Sequence, residues 1–246
     1  NKYRPIPFWS WNEKLDVAET RRQIEMMRDA GIGGYFMHAR GGLQTEYMEE
    51  EWFDNVTAGV EEGKKYGMYA WAYDENGWPS GFGNGIVNGK GIDYQQKYLR
   101  YEKGYKETDH TICNVGGYHF YYEVNPFYVD TLDGDVIKVF IDEIYEPYYN
   151  RYKGEIEGFF TDEPQISRNG IPWSFILPQE YEKAYGEDLL PHLIELFLPV
   201  GDYEKTRFQF WKLVTDMFSK NFMKQIYDWC EAHQLKLTGH MVLEET

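Results

Sequence analysis

The stretch EGFFTDEPQ, residues 157–165, decides the fold class of this chain. Its apolar run ends in Asp162 and Glu163, directly before Pro164. Short apolar runs are typical of buried strands, and carboxylates seldom lie fully inside a core. Pro164 cannot donate a ladder hydrogen bond, so it fixes the end of strand pairing at this point. The pattern therefore predicts a strand whose end presents acid groups to water, a cation or a substrate.

Four more apolar runs predict strands of the same kind. They are PIPFWSW (5–11), IGGYFMHAR (32–40), MYAWAYDE (68–75) and LKLTGH (235–240). Helical patterns separate these strands: Asp16 has the position of an N-cap, and Gly31 and Gly67 stand where helices should end. Strands that alternate with helices predict parallel βαβ units.

Both a doubly wound sheet and a barrel are built from βαβ units. A dinucleotide-binding sheet should carry G-x-G-x-x-G after its first strand, and neither GIGGYF nor GFGNGIVNGKG has that spacing. Polar residues instead follow every predicted strand, as in a barrel whose catalytic groups lie at the C-terminal ends of several strands. The sequence therefore predicts an α/β fold of the (β/α)8 TIM-barrel type, with only about five βα units present.

The length of the chain bears on this prediction. Eight units need roughly 250 residues, yet the 246 residues reach only the fifth strand. We expect residues 1–246 to form a partial barrel domain belonging to a longer protein, and a barrel that permanently lacks three units is the alternative. An open edge at the fifth strand would favour self-association.

A β-rich insertion is predicted at about residues 97–129. There KYLRYEKGY and YHFYYEV alternate between apolar and polar residues, and glycine-containing polar sequence separates them. A helix follows at 133–152, and a long helical region at 178–233 is interrupted near 199–201.

Composition restricts the partners. The formal net charge of −16 argues against nucleic acid and anionic membranes, because both are polyanions. No run of about eighteen apolar residues predicts a transmembrane helix. The 22 Tyr and 8 Trp favour a wet binding surface on which sugar rings can stack, although many of these aromatics must fill the core.

Glu163 is the first candidate for chemistry. Side chains alternate along a strand, so only one of Asp162 and Glu163 can face the barrel mouth if the strand runs regularly to its end. A carboxyl group that stays protonated near neutral pH at such a mouth can act as a general acid, and the alternative is an acid that caps the next helix. A glycosidase needs a second carboxylate, which either Asp74 and Glu75 or Glu244 and Glu245 could supply, unless these are solvated loop acids.

Other polar and aromatic residues stand at or just beyond the strand ends and are candidates for contacts with a sugar. His38 and Arg40 share a strand face, and His240 ends the fifth strand. The aromatic candidates for stacking are Trp9, Trp11 and Trp78, which could instead fold back over the core.

Six motifs in order give the chain a family resemblance. They are PFWSWN, GIGGYFMHARGGLQTEY, EEWF, AWAYDENGWPSGFGNG, FFTDEP and LTGHMVLEE. Together they resemble the barrel core of glycoside hydrolase family 106, the bacterial α-L-rhamnosidases. The resemblance implies an inverting glycosidase that cleaves an oligosaccharide or glycoside and that depends on Ca²⁺. It also implies that Glu163 is the general acid and that Glu244 supplies or neighbours the second carboxylate. The implied sugar-site residues are His38, Arg40, Asp74, Glu75 and His240.

Two other functions are compatible with the sequence. A relative that binds carbohydrate without cleaving it, or an inactive fragment of a larger glycosidase, would keep the aromatics without needing paired acids. A metal-dependent barrel enzyme such as an isomerase would use Asp, Glu and His as ligands. The sequence contains no tight local pair such as His-x-x-x-His, which disfavours the metal enzyme.

Overall fold

The computed structural model describes residues 3–241. The chain forms two compact units. Unit 1 contains the residues up to Ile86, those of Val139–Pro164 and those from Ile226 onward, and unit 2 contains Val87–Lys138 and Gln165–Gln225. That residues 1–246 form one domain stays a prediction. No helix in the described range has the length and apolarity needed to span a membrane.

Unit 1 is built on a parallel sheet of five strands. The strands are β1 (Phe8–Trp11), β2 (Gly34–Ala39), β3 (Tyr69–Tyr73), β7 (Gly158–Asp162) and β9 (Lys236–His240). They lie in the order β1-β2-β3-β7-β9, so neighbours in space follow one another along the chain within this sheet. A doubly wound sheet reverses its order at a switch point, whereas a barrel does not. The α/β fold predicted from the sequence is confirmed as far as these five strands.

The helices of unit 1 are α1 (Val17–Asp29), α2 (Glu50–Tyr66), α4 (Glu146–Arg151, after a π-helical turn at Ile141–Tyr145) and α7 (Gln225–Ala232, which begins at the boundary with unit 2). The first two begin and end where the sequence predicts, whereas α4 and α7 are the last parts of the longer helical regions predicted at 133–152 and 178–233. The Asp16 side chain accepts a hydrogen bond from the backbone N–H of Glu19, which caps α1. Gly67 ends α2 with a left-handed φ of 63°, a conformation that glycine adopts without strain.

The helices cover one face of the sheet. Tyr35, Met37 and Phe159 point to this face and are fully buried. Trp52 of α2 is also fully buried and donates a hydrogen bond to the Tyr148 hydroxyl at 3.0 Å. Burying each large apolar side chain contributes roughly 1.5–3 kcal/mol. The helix-covered face is therefore the core of unit 1. Because side chains alternate along a strand, the residues between those buried here point to the opposite face.

Unit 2 contains an antiparallel sheet of the strands β4 (Gln95–Lys103), β5 (Thr111–Val115), β6 (Tyr118–Val129) and β8 (Ile171–Trp173). The strands lie in the order β5-β6-β4-β8. Its helical segments are α3 (Gly134–Phe140, which ends at the boundary with unit 1), α5 (Leu177–Tyr185), a 3-10 helix (Leu190–Leu196), α6 (Tyr203–Phe218) and a π-helical turn (Ser219–Lys224). The predicted β insertion is confirmed, but β8 was not predicted, because a three-residue strand leaves almost no periodic pattern.

Candidate active site

The face of the parallel sheet opposite the helices carries an aromatic and polar cluster at its C-terminal edge. The Phe8 ring contacts the rings of Phe160 and His240, with centroids 4.8 and 6.1 Å apart. Tyr73 stacks on Phe160 at 5.5 Å and on His38 at 3.6 Å. Phe8 is 43% exposed, so this face is open to solvent at β1. Side chains from all five strands therefore meet on this face of the sheet, with Phe8 coming from the start of β1.

Asp162 occupies the centre of this cluster. Its Oδ2 accepts a hydrogen bond from the Tyr73 hydroxyl at 2.5 Å, and its Oδ1 lies 3.3 Å from His240 Nδ1. Burial and the hydrogen bond to Asp162 raise the pKa of Tyr73, so its hydroxyl stays a donor throughout the working pH range. The side chain of His240 is 47% exposed. Asp162 can thus hold the imidazole with Nδ1 toward the protein and Nε2 available to a ligand.

Glu163 leaves the regular alternation of the strand. Its φ is +48°, in the left-handed region that a non-glycine residue rarely adopts. Its backbone N–H donates to the His240 carbonyl at 3.0 Å, so the strand pairing continues to this residue. Strain of this kind persists only where the surroundings enforce it, and it is concentrated at functional sites. The left-handed turn means that simple alternation cannot assign the direction of Glu163, which is partly exposed.

His38 and Arg40 stand at the end of β2. His38 is 4% exposed, and burial together with the nearby charge of Arg40 lowers its pKa to about 3. The imidazole is therefore neutral at physiological pH. Arg40 is exposed and directly precedes Gly41 and Gly42, which leaves its guanidinium accessible to a ligand.

Asp74 and Glu75 follow β3 but are fully buried. Asp74 accepts hydrogen bonds from the Ser80 hydroxyl and, at 2.6 Å, from the Tyr145 hydroxyl. Burial raises the pKa of Asp74 to about 6 and that of Glu75 well above its usual value. Glu75 Oε2 accepts from the Gly83 N–H at 2.9 Å. These two acids are 0% and 1% exposed, so they lie beneath the site and cannot contact a sugar in this conformation.

The three predicted tryptophans do not all lie at the site. Trp9 donates to Gln23 Oε1 at 2.8 Å and packs on Trp11, on the helix-covered side of the sheet. Trp11 is 3% exposed. Trp78 is 41% exposed in the turn that follows β3, so of the three it is the one positioned to meet a ligand. Glu244 and Glu245 lie outside the described residues.

Three residues of the site region were not predicted from the sequence: Phe8, Tyr73 and Ser80. Tyr73 could have been predicted, because it is the last residue of β3 and therefore stands at the strand end where the other candidates were sought. By alternation it shares a strand face with Trp71. Ser80 gave no signal, since its contacts lie with Asp74 and with the end of β7, 82 residues away.

The described residues contain no group of metal-binding side chains that would mark a calcium site. Within residues 3–241, no three His, Cys, Asp or Glu side chains are grouped so that they could hold a metal ion. Ca²⁺ usually takes about six to eight oxygen ligands, several of them from carboxylates. The described residues therefore provide no such group of carboxylates for this ion, and the calcium dependence implied by the resemblance stays a prediction.

Comparisons with known proteins give a fold similarity. No protein-family model matches the sequence, and a search of curated proteins finds no match. Among solved structures, the chain is similar to a rhamnosidase from Novosphingobium sp. PP1Y, with a TM-score of 0.69 and 10% identity. That similarity covers 98% of this chain and 46% of the rhamnosidase, so the chain spans less than half the length of that protein.

A second structure is less similar. A maltogenic α-amylase from Thermotoga neapolitana has a TM-score of 0.39 and 12% identity, over 67% of this chain and 40% of the amylase. The amylase similarity is too weak to carry an argument. At 10% identity the rhamnosidase similarity shows the fold alone: this chain resembles part of a glycosidase barrel.

Proposed function

We propose that the chain is the catalytic region of a glycoside hydrolase in which Glu163 is the general acid. One observation carries the proposal: Glu163 is held in a left-handed conformation at the C-terminal end of β7, directly after the cluster formed by Asp162, Tyr73 and His240. The C-terminal ends of parallel strands are where barrel enzymes carry their catalytic groups.

The proposed reaction is hydrolysis with inversion. The Glu163 carboxyl gives its proton to the glycosidic oxygen while the bond from that oxygen to the anomeric carbon breaks. A water molecule attacks the anomeric carbon from the opposite face, and a second carboxylate takes the proton of that water. Glu244 is the candidate for this base from the sequence. Asp162 is less suited to the role, because Tyr73 and His240 already engage both of its oxygens.

The proposed substrates are α-L-rhamnosides. This choice rests on the sequence motifs and on the fold similarity to a protein named as a rhamnosidase. The ring faces of Phe8 and Trp78, both about two-fifths exposed, suit the apolar face of a sugar, while Arg40 and His240 can hydrogen-bond hydroxyl groups. The net charge of −16 favours such a neutral substrate over an anionic one.

The substitution Glu163→Gln in the full-length protein tests the proposal. General acid catalysis contributes about 10²–10⁴-fold to the rate, so we expect kcat on phenyl α-L-rhamnopyranoside to fall by a factor in this range. Circular dichroism and the urea midpoint should show that the fold is retained. Glu157→Gln is the matched control, since Glu157 precedes the same strand and pairs with Lys236 at 2.7 Å, away from the C-terminal edge. We expect this control to keep wild-type activity.

Two outcomes would contradict the proposal. Undiminished hydrolysis by Glu163→Gln would remove Glu163 from the chemistry. A wild-type protein that binds rhamnose in calorimetry but cleaves no rhamnoside would instead support the carbohydrate-binding alternative. Proton NMR of the first-formed sugar anomer distinguishes inversion from retention.

A further inference from the structure

The end of β7 is hydrogen-bonded to a serine that has no role in the proposed reaction. Ser80 is fully buried in the loop after β3. Its backbone N–H donates to the Asp162 carbonyl at 2.9 Å, and its hydroxyl accepts from the Asp162 N–H at 2.6 Å. One residue thus binds both the donor and the acceptor of the residue that precedes Glu163.

The same hydroxyl also reaches β3. Ser80 Oγ donates to Asp74 Oδ1, and Asp74 Oδ2 accepts from the Tyr145 hydroxyl. Because Asp74 and Tyr145 are both fully buried, this chain of hydrogen bonds is shielded from water and has little freedom to shift. Ser80 therefore connects the end of β7 to a fixed point at the end of β3.

Glu163 is held from both sides. The Asp162 backbone is bound by Ser80, and the Glu163 N–H is bound by the His240 carbonyl on β9. A left-handed non-glycine residue relaxes unless its neighbours are fixed. Removing the Ser80 hydroxyl would leave the Asp162 N–H without its partner and would free the residue on which the left-handed turn depends.

From this geometry we infer that Ser80 is a positioning residue that sets the direction of the Glu163 carboxyl through the Asp162 backbone. The inference rests on the proposed role of Glu163 as the general acid. Ser80 acts through the main chain and contacts no substrate, so its loss should damage only those steps that need an accurately placed acid.

The dependence on the leaving group separates positioning from general damage to the fold. A 2,4-dinitrophenyl leaving group departs without protonation, whereas phenol needs the general acid. Misplacement of a catalytic group by about 1 Å costs on the order of 10²-fold. In the full-length protein we therefore expect Ser80→Ala to lose about 10- to 100-fold in kcat on phenyl α-L-rhamnopyranoside. We expect it to stay close to wild type on the 2,4-dinitrophenyl glycoside.

Three further variants complete the design. Ser80→Cys keeps the shape of the side chain but replaces the hydroxyl oxygen by sulfur, a weak acceptor. We expect it to show the same selective loss on the phenyl glycoside as Ser80→Ala, and it serves as the test if the alanine variant folds poorly. Ser219→Ala removes an exposed serine of unit 2 and should change neither rate. The double variant Ser80→Ala/Glu163→Gln should be no slower than Glu163→Gln, because both changes remove the same function.

The outcomes distinguish the inference from the proposed function. Equal losses of Ser80→Ala on both substrates would overturn the positioning role, even if Glu163→Gln is selective for the phenyl glycoside. A Glu163→Gln variant without such selectivity would overturn the proposed function. In that case the crystal structure of Ser80→Ala decides the inference by itself: we expect the φ of residue 163 to leave the left-handed region, and an unchanged φ and carboxyl direction would refute it.

Discussion

Asp74 makes the stability of unit 1 depend on pH, and the substitution Asp74→Asn isolates its contribution. Burial raises the pKa of Asp74 from 3.8 to about 6. Below pH 3.8 the carboxyl is protonated in both the folded and the unfolded state, so its contribution to stability is at its maximum. As the pH rises through 6, the folded protein must either keep a proton that the unfolded chain has released or bury a charge. Stability is therefore lost as the pH rises.

The magnitude follows from the size of the pKa shift. One pKa unit corresponds to about 1.4 kcal/mol, so the whole shift is worth about 3 kcal/mol, of which about 2.5 kcal/mol falls between pH 4 and pH 8. Asparagine keeps the size of the side chain and does not titrate. The free energy of unfolding of Asp74→Asn, minus that of the wild type, should therefore rise by about 2.5 kcal/mol over this interval.

Urea titrations followed by tryptophan fluorescence measure this difference. Six of the eight tryptophans lie in unit 1, so the signal reports mainly on the unit that contains Asp74. Acids that do not interact with Asp74 titrate equally in both proteins and cancel in the difference. Glu75 does not cancel, because the charge of Asp74 helps to raise its pKa, and its contribution has the same sign as that of Asp74. Asp54→Asn, which removes an exposed carboxyl from α2, is the matched control and should differ from the wild type by about 0.5 kcal/mol or less at every pH. A difference for Asp74→Asn that is flat with pH would refute the reasoning.

Two further stability predictions use the same urea assay. Lys97 of unit 2 is fully buried 3.6 Å from Asp130, so Lys97→Met should cost about 3–5 kcal/mol by leaving a buried acid without its cation. The double variant Lys97→Met/Asp130→Asn should recover most of that loss, and equal stability of the single and double variants would contradict the pairing. A Cβ atom at Gly239 would lie 1.9 Å from the Thr161 carbonyl oxygen, so Gly239→Ala should separate β9 from β7 and cost about 1–3 kcal/mol. Gly89→Ala, where a Cβ atom meets nothing within 4 Å, is the control, and an equal effect of both alanines would refute the predicted clash.

The fold class could be predicted because its signals are local. A buried strand needs only about four to eight consecutive apolar residues, and helix ends depend on single residues such as Asp16 and Gly67. The same holds for the antiparallel insertion, whose strands alternate clearly. β8 was missed because its three residues are held by pairing with β4, and pairing leaves no periodic pattern in so short a segment.

The candidate site was only partly predictable. The sequence by itself determined that acids and histidines stand at the C-terminal ends of the strands, because the order of residues fixes which side chains come after each apolar run. It could not determine which face the helices cover. Alternation relates neighbours along one strand, but packing against other strands and helices decides which of the two sets is buried. For this reason Trp9 and Trp11 lie on the covered side, while Phe8 lies on the open one.

The tertiary structure alone decided the environment of each acid. The buried carboxyl of Asp74 is hydrogen-bonded by the Tyr145 hydroxyl, which is 71 residues away in the sequence. Asp162 is contacted by Tyr73 and His240, which belong to two other strands. The left-handed turn at Glu163 likewise depends on Ser80 and on β9, neither of which adjoins it in sequence. Local patterns thus specify which residues reach the edge of the sheet. Long-range hydrogen bonds and burial, which exist only in the folded chain, specify the chemistry that each can perform.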